Sequence, residues 1–215
     1  MLSILLIQVL SYLAGSIPTA IIVSRIVMKD DIRNHGSKNA GATNVFRVMG
    51  WKPALAVVLI DVGKGVLATL LISRLRIDPV SPNPLLVQVI AGSASIVGHV
   101  WTVFAGFKGG KGVGTAFGVF LGIAPVPVLI TLGVWLSVVF ATRIVSVSSL
   151  AAAVCLPTAL WIQRRFFKPE IPGILLWITA LLAVLIFFTH RSNIKRLLRG
   201  EEHRFGSKME KRGPA

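Results

Sequence analysis

Long apolar segments alternate with short polar ones along the whole chain. A helix needs about 20 apolar residues to cross ~30 Å of hydrocarbon, and runs near that length occupy residues 4–26, 54–73, 85–105, 126–141, 147–163 and 171–189. Each of these runs predicts one transmembrane helix. A further run, 113–124, is shorter, since at about 1.5 Å per residue it reaches only ~18 Å. We therefore expect seven transmembrane helices, with five plus a re-entrant hairpin as the alternative.

The composition supports an all-α integral membrane protein, a polytopic helical bundle. Hydrophobic residues make up 54% of the 215 positions and charged residues only 14%, with a mean hydropathy of +0.77. That polar fraction is too small to cover a water-soluble globule. No Lys or Arg precedes Arg25, so the first run lacks the basic segment of a signal peptide and is interpreted as a retained span.

The single cysteine, Cys155, excludes an internal disulfide, and four scattered histidines have no metal-ligand spacing. We therefore predict neither a metal nor a cofactor. The net charge of +15 does not indicate nucleic-acid binding, because the bases lie in loops between apolar runs and are not interleaved with aromatic residues.

Membrane topology accounts for the charge better. Of the 23 Lys and Arg residues, 17 fall on one predicted side and five on the other, with Lys64 inside a span. The positive-inside rule then places the N-terminus outside and the C-terminus in the cytoplasm. We expect one transmembrane domain over residues 1–205, whose final helix continues for some turns, and a polar tail over 206–215 whose bases attract the headgroups of anionic membrane lipids.

Polar residues concentrate in four segments predicted to face the cytoplasm: 30–52, 106–114, 141–149 and 189–193. The first is 23 residues long, although a bare connector could be about a third as long. Together the segments bring these side chains to one face of the membrane: Ser37, Asn39, Thr43, Asn44, Arg47, Lys111, Ser146, His190 and Asn193.

The stretch FKGGKGVGTAFG, residues 107–118, has two interpretations. Glycine at every fourth position from 106 to 122 is typical of a helix stripe that a neighbouring backbone approaches closely. The stripe does not explain Gly109, Gly112 or Lys111, and consecutive amides at a helix N-terminus bind anions. We predict that Gly109, Gly110, Lys111 and Gly112 bind a phosphate group. A nucleotide P-loop is excluded, because position 105 is Ala and position 112 is Gly.

Asp61 and Lys64 lie inside the second long run, three residues apart on one helical face. Either charge alone would cost about 2.5–3.5 kcal/mol at the bilayer centre. The two are therefore expected to pair or to face a polar interior, either as a packing pair or in contact with the site.

A site with several cations and few carboxylates suits anionic substrates. The chain has no G-x-S-x-G nucleophile motif, and no histidine is followed by an aspartate five residues later, as in many glycerolipid acyltransferases. A serine hydrolase and that acyltransferase class are both unsupported.

Five motifs, spread in order over residues 12–205, resemble the bacterial acyl-phosphate-dependent glycerol-3-phosphate acyltransferases, the PlsY family. They are GSIPTA, DIRNHGSKNAGATNVFR, DVGKG, GHVWTVFAGFKGGKGVGTA and HRSNIKRLLRGEEHRF. The resemblance implies an inner-membrane enzyme with its active site facing the cytoplasm. Such an enzyme moves a fatty acyl group from acyl phosphate to the 1-hydroxyl of glycerol 3-phosphate, giving lysophosphatidic acid and phosphate in phospholipid synthesis.

The resemblance also implies residue roles. It assigns Ser37 and Arg47 as essential, with Asn39 and Thr43 beside them, and the glycine segment 109–112 as the second motif. In the remaining segments the matching residues are Ser146, His190, Asn193 and, for structural integrity, Glu202. Ser146, like Asn39 and Thr43, is expected to contact a substrate phosphate.

These assignments fit the chemistry, because the two substrates carry one phosphate each and need separate cationic groups. Lys111 with its loop would hold one phosphate and Ser37 with Arg47 the other, in an order left open. His190 or Asn193 would donate to the acyl carbonyl. The hydroxyl would attack directly, with the departing phosphate or His190 taking the proton. The rival hypotheses are a transporter or channel for a phosphate-type anion and a non-catalytic membrane scaffold.

Overall fold

The structure is a computed structural model that describes residues 1–78 and 83–205. This part of the chain contains helices and no strand, as predicted. The α-helices are α1 (Leu2–Ser16), α2 (Thr19–Met28), α3 (Ala42–Met49), α4 (Trp51–Leu70), α5 (Pro84–Val100), α6 (Val113–Ile123), α7 (Pro125–Thr142), α8 (Val145–Phe166), α9 (Ile174–Thr189) and α10 (Arg191–Leu198). Short 3₁₀ turns occur at Ile32–Asn34, Ile72–Arg74 and Val103–Ala105.

Five apolar segments are long enough to cross a membrane: Leu2–Met28, Trp51–Arg74, Pro84–Ala105, Pro125–Thr142 and Val145–Phe166. Helices α9 and α10 form a sixth if they count as one span, although they meet at a bend of 60°. The shorter predicted run corresponds to α6, which has 11 residues. The polytopic α-helical fold is confirmed, while the number of complete spans and the orientation of the termini remain predictions.

Three local features differ from the sequence-based expectation. The first span is broken between α1 and α2 at Ile17 and Pro18, the polar segment 30–52 contains the helix α3, and the continuation of the last helix is bent. The described chain groups into two compact units, Met1–Val128 and a second beginning at Leu129. The predicted single domain over 1–205 remains a prediction, and the tail from 206 lies outside the described residues.

In the first unit, α4 and α6 pack backbone against backbone. A Cβ on Gly65 would collide with the carbonyl oxygen of Thr115, and a Cβ on Gly118 with that of Val62. The predicted close approach of a neighbouring backbone is thus confirmed at Gly118, whereas at Gly122 a Cβ would strike the side chain of Thr69. It is wrong for Gly106 and Gly110, which precede α6, whereas Gly114 would make an ordinary 3.5 Å contact with Asp61.

The break in the first span leaves main-chain carbonyls that side chains from other helices satisfy. The ammonium of Lys64 donates to the carbonyl oxygen of Ile17 over 2.5 Å and to Asp61 Oδ1 over 2.7 Å. The hydroxyl of Thr102 donates to the carbonyl of Ser16. The predicted pairing of Asp61 with Lys64 is confirmed. Lys64 shares the carbonyl oxygen of Ile17 with the backbone N–H of Thr19, which donates to it over 2.9 Å.

The second unit packs α8 against α9. Trp135 Nε1 on α7 donates to Ser149 Oγ on α8 over 3.3 Å, and Ser149 Oγ in turn donates to the carbonyl of Val145 over 2.9 Å. These contacts fix the N-terminal turns of α8, from which Ser146 projects.

The two glycines of α4 give a matched test of the α4–α6 interface. Gly65→Ala should destabilise the protein by about 1–3 kcal/mol, because overpacking displaces the backbone of α6. Gly63→Ala is the control, because nothing lies within 4 Å of its Cβ position. Thermal unfolding in detergent should show a lower midpoint for Gly65→Ala alone. Equal midpoints for the two variants would contradict this packing.

Candidate functional site

One buried asparagine organises the loop that carries Ser37. Asn44, on α3, is 1% exposed. Its Oδ1 accepts the backbone N–H of Ser37 over 2.8 Å. Its Nδ2 donates to three carbonyl oxygens, those of Ile32, His35 and Asn39, at 3.0–3.2 Å. The loop is thereby closed around a single side chain, to which sequence reasoning assigned no role beyond its place among the polar residues.

A second clamp lies at the start of this loop. Arg33 forms a bidentate pair with Asp31, with Nε–Oδ1 at 3.0 Å and Nη2–Oδ2 at 2.8 Å. This hydrogen bonding holds the pKa of Asp31 below its ordinary value. Arg33 Nη1 also donates to the carbonyl oxygen of Ala105 over 2.9 Å. The Ser37 loop, residues 31–41 between α2 and α3, is therefore tied to the chain just before the glycine loop, residues 109–112.

The other predicted residues of the first unit lie close to this loop in sequence and structure. Ser37 and Asn39 belong to the loop itself, and Thr43 and Arg47 lie four residues apart on one side of α3. All four are half-buried. The opposite side of α3 is the buried one, with Asn44 and Val45.

The glycine loop folds back onto the C-terminal end of α5. The amide of Gly109 donates to the carbonyl of Val100 over 3.0 Å, and that of Gly110 to the carbonyl of His99 over 3.1 Å. A Cβ at either glycine would collide with His99. These two residues are therefore glycine because the loop approaches α5 closely.

The amides of Gly109 and Gly110 are thus paired within the fold, and phosphate binding at these two residues stays a prediction. The donors that remain are those of the first turn of α6, which helix geometry leaves without intrahelical partners. Gly112 is the N-cap, with φ of 88°, and Lys111 precedes it directly. We therefore expect an anion to be bound by Lys111, Gly112 and the start of α6.

In the second unit, a buried carboxylate gathers three side chains. Glu202 Oε1 accepts from Ser146 Oγ over 3.0 Å and from Asn193 Nδ2 over 2.6 Å, while Oε2 accepts from Arg196 Nε over 2.7 Å. Burial opposes ionisation, but these hydrogen bonds outweigh it and keep the pKa of Glu202 below its ordinary value. The predicted phosphate contact of Ser146 is thus accompanied by a structural bond that the sequence did not indicate.

His190 lies at the junction of α9 and α10 and is 3% exposed. Its Nδ1 is 2.8 Å from the carbonyl oxygen of Ile186. Because a carbonyl only accepts, Nδ1 carries the proton in this contact. The roles of His190 as a base or as a donor to the acyl oxygen stay predictions.

No three His, Cys, Asp or Glu side chains within residues 1–78 and 83–205 gather in a way that could hold a metal ion.

Comparisons with known proteins all find similarity to the same family. The family model for glycerol-3-phosphate acyltransferase matches residues 5–200. The glycerol-3-phosphate acyltransferase of Chlorobaculum tepidum is 44% identical over 97% of this chain and 100% of its own length. That of Chlorobium phaeobacteroides strain BS1 is 43% identical over 95% of this chain and 97% of its own.

Solved structures show the same likeness. The crystal structure of PlsY, an integral membrane glycerol 3-phosphate acyltransferase, in its glycerol 3-phosphate form gives a TM-score of 0.83 at 36% identity, covering 95% of this chain and 96% of that one. Its lysophosphatidic acid form gives 0.79 at 35% identity, with the same coverage.

Because Asn44 closes the Ser37 loop, removal of the Asn44 side chain should have a large effect. Asn44→Ala should unfold the loop locally, because three carbonyls and one amide lose a buried partner. Limited trypsin digestion should then cleave after the exposed Lys38 faster than in the wild type. Asn34→Ala is the control, since this exposed side chain makes a single bond, to Asp30. Unchanged cleavage of Asn44→Ala would contradict the assignment.

The depressed pKa of Glu202 predicts acid-dependent stability. Its stabilising effect should be complete above the ordinary pKa of 4.5 and disappear as the pH falls through the lower native value. Glu202→Gln should lose about 1.5–3 kcal/mol at pH 7, the usual contribution of a hydrogen bond to a charged group. Its unfolding midpoint should approach that of the wild type in acid. The exposed Glu201→Gln should match the wild type throughout, and a pH-independent gap for Glu202→Gln would oppose this account.

Proposed function

The chain belongs to the glycerol-3-phosphate acyltransferase family, and from that premise we propose that it transfers a fatty acyl group from acyl phosphate to the 1-hydroxyl of glycerol 3-phosphate. The products are lysophosphatidic acid and inorganic phosphate. Membership of the family makes it an acyltransferase and a multi-pass membrane protein. The identity of the donor and the regiochemistry are parts of the proposal.

The observation that carries the proposal is that two loops, each with a cationic side chain beside it, lie in one compact unit. One loop is closed by Asn44 around Ser37 and leads into α3 with Arg47. The other ends in Lys111 and the first turn of α6. The Arg33 bond to Ala105 ties the first loop to the segment before the second. Two phosphate-bearing substrates require such a pair of separate groups.

Glycerol 3-phosphate as the acceptor is supported by the relatives. A PlsY that is 36% identical has been solved in a glycerol 3-phosphate form, and also in a lysophosphatidic acid form. Acyl phosphate as the donor is supported by the likeness of the motifs to the acyl-phosphate-dependent enzymes. Neither substrate needs a nucleotide, which agrees with a glycine motif that lacks the P-loop pattern.

The proposed reaction is a direct displacement. The 1-hydroxyl oxygen of glycerol 3-phosphate attacks the acyl carbon, a tetrahedral intermediate forms, and the bond from that carbon to the phosphate oxygen breaks. The hydroxyl proton leaves with the released phosphate, or passes first to His190. Acyl phosphate is a mixed anhydride, already activated, so the protein has to bind, orient and stabilise charge.

Individual roles follow from the hydrogen bonds. We assign Arg47 and the Ser37 hydroxyl to one phosphate, with Asn39 and Thr43 beside them, and Lys111 with Gly112 to the other. Asn193 Nδ2 already gives one proton to Glu202, which fixes the orientation of the amide. We assign Asn193 as a donor to the developing oxyanion, and Ser146 is held by the same carboxylate.

We further propose that the protein lies in the bacterial plasma membrane with these loops facing the cytoplasm and the N-terminus outside. The support is that 17 of the 23 Lys and Arg residues lie in the segments predicted to be cytoplasmic, which include the loops that carry the site. The acyl chain of the donor would lie in the bilayer and its phosphate at the inner surface, where soluble glycerol 3-phosphate arrives.

The test uses purified protein in detergent with radiolabelled glycerol 3-phosphate and either palmitoyl phosphate or palmitoyl-CoA. Lysophosphatidic acid should form from palmitoyl phosphate only. Lys111→Ala should lose activity by about 100-fold or more, because it removes a positive charge that stabilises negative charge in the transition state. Lys108→Ala, an exposed lysine in the same loop, should keep it. No product from palmitoyl phosphate, or equal product from the thioester, would refute the proposed donor.

A further inference from the structure

We propose that His99 is a positioning residue that sets the separation between the glycine loop and the Ser37 loop. The inference rests on the proposed function, because it gives those loops the two substrate phosphates. It concerns a histidine at the end of α5 that neither the motif assignments nor the proposed mechanism uses.

The imidazole of His99 lies between α4 and the glycine loop. The residue is 9% exposed, and its Nδ1 is 3.7 Å from Asp61 Oδ1. On the other side, its Nε2 is so close to Gly110 that a Cβ there would collide with it. The carbonyl of His99 also accepts the amide of Gly110 over 3.1 Å. One residue therefore contacts the loop through both its main chain and its ring.

Gly110 in turn separates His99 from the Ser37 loop. A Cβ on Gly110 would come within 3.0 Å of the carbonyl oxygen of Ala40. Ala40 follows Asn39, whose carbonyl is one of the three held by Asn44. The order of contacts is therefore His99 ring, Gly110, then the segment that Asn44 closes around Ser37. A displacement of the ring changes the distance between the two loops.

The ring of His99 is also held in place on the side that faces α4. Asp61 beside it is paired with Lys64, and Lys64 Nζ is bound to the carbonyl of Ile17 at the break of the first span. A small polar pocket lies where these segments meet, lined among others by Ile17, Thr19, Ala40, Asp61, His99 and Gly110. The buried pair, the broken helix and both loops thus converge on His99.

The geometry predicts a specific kinetic signature. Lys111 follows Gly110 directly, so a loosened loop weakens the binding of a phosphate without removing a group that takes part in the reaction. His99→Ala should raise KM about tenfold for at least one phosphate-bearing substrate and change kcat less than about threefold. His99→Gln should recover part of the loss, since its amide reaches about as far as Nε2.

A double-mutant cycle isolates the contact itself. Gly110→Ala should also raise KM, because the new methyl group strikes the imidazole. In His99→Ala/Gly110→Ala the methyl group occupies space that the ring vacated, so the rise in KM should be smaller than the product of the two single effects. Multiplicative effects would mean that the ring and the glycine act independently, and would overturn the proposal.

Ser95→Ala is the matched control. Ser95 lies one turn earlier on α5, is fully buried and donates to the carbonyl of Lys64 over 3.5 Å. It should affect the unfolding midpoint and leave both KM values unchanged. A rise in KM for Ser95→Ala as large as that for His99→Ala would assign the effect to general loosening of the fold and overturn the inference.

Hydrogen exchange gives a readout that does not depend on activity. In His99→Ala without substrate, the amides of Gly109 and Gly110 should exchange faster than in the wild type, whereas those of α4 should not. Unchanged exchange together with unchanged KM would overturn the role of His99 and leave the proposed function standing. A wild-type protein that makes no lysophosphatidic acid from palmitoyl phosphate would instead refute the proposed function.

Discussion

The ion pair between Lys64 and Asp61 is the interaction on which the first unit depends. Two charges within a span would each cost about 2.5–3.5 kcal/mol if left alone. Here the ammonium is paired at 2.7 Å and also binds the carbonyl of Ile17. That bond ties the second span to the break in the first at Ile17, whose carbonyl oxygen also accepts the backbone N–H of Thr19 over 2.9 Å. The buried pair therefore also joins the first two spans.

Many of the other polar side chains also form hydrogen bonds that hold main-chain groups or other side chains in place. Asn44 uses its whole amide to close the Ser37 loop. Glu202 uses both oxygens to hold Ser146, Asn193 and Arg196. The glycine loop is fixed by its own amides on α5. Such sites are preorganised, so substrate binding does not have to order the loops.

The sequence located every long helix, because about 20 apolar residues are a strong signal and few alternatives produce it. It also predicted the Asp61–Lys64 pair, since residues three apart share a helical face. The helix break escaped it, because Pro18 lies within an unbroken apolar run. Helix α3 escaped it too, because its eight residues are fewer than the roughly 11–18 over which a helical period is recognised, and they lie within a polar segment.

The sequence predicted which residues belong to the candidate site, but not the hydrogen bonds that hold them. Glycines next to a lysine indicate anion binding. They do not reveal that the amides of Gly109 and Gly110 donate to the carbonyls of Val100 and His99. That pairing is a tertiary contact, and no local pattern encodes it. The role of Asn44 was hidden for the same reason, since its partners are main-chain atoms of other residues. A signal existed for His99 in its place within the motif GHVWTVFAGFKGGKG, but not for its function.

The central claim is that two preorganised loops hold two phosphates at once and that the acyl group passes directly between the substrates. Rapid mixing of enzyme with acyl phosphate alone, followed by quenching and measurement of released phosphate, tests this most directly. The account predicts no burst of phosphate until glycerol 3-phosphate is added, and no acyl group attached to the protein. A burst equal to the enzyme concentration, with the acyl group recovered on Ser37, would contradict it.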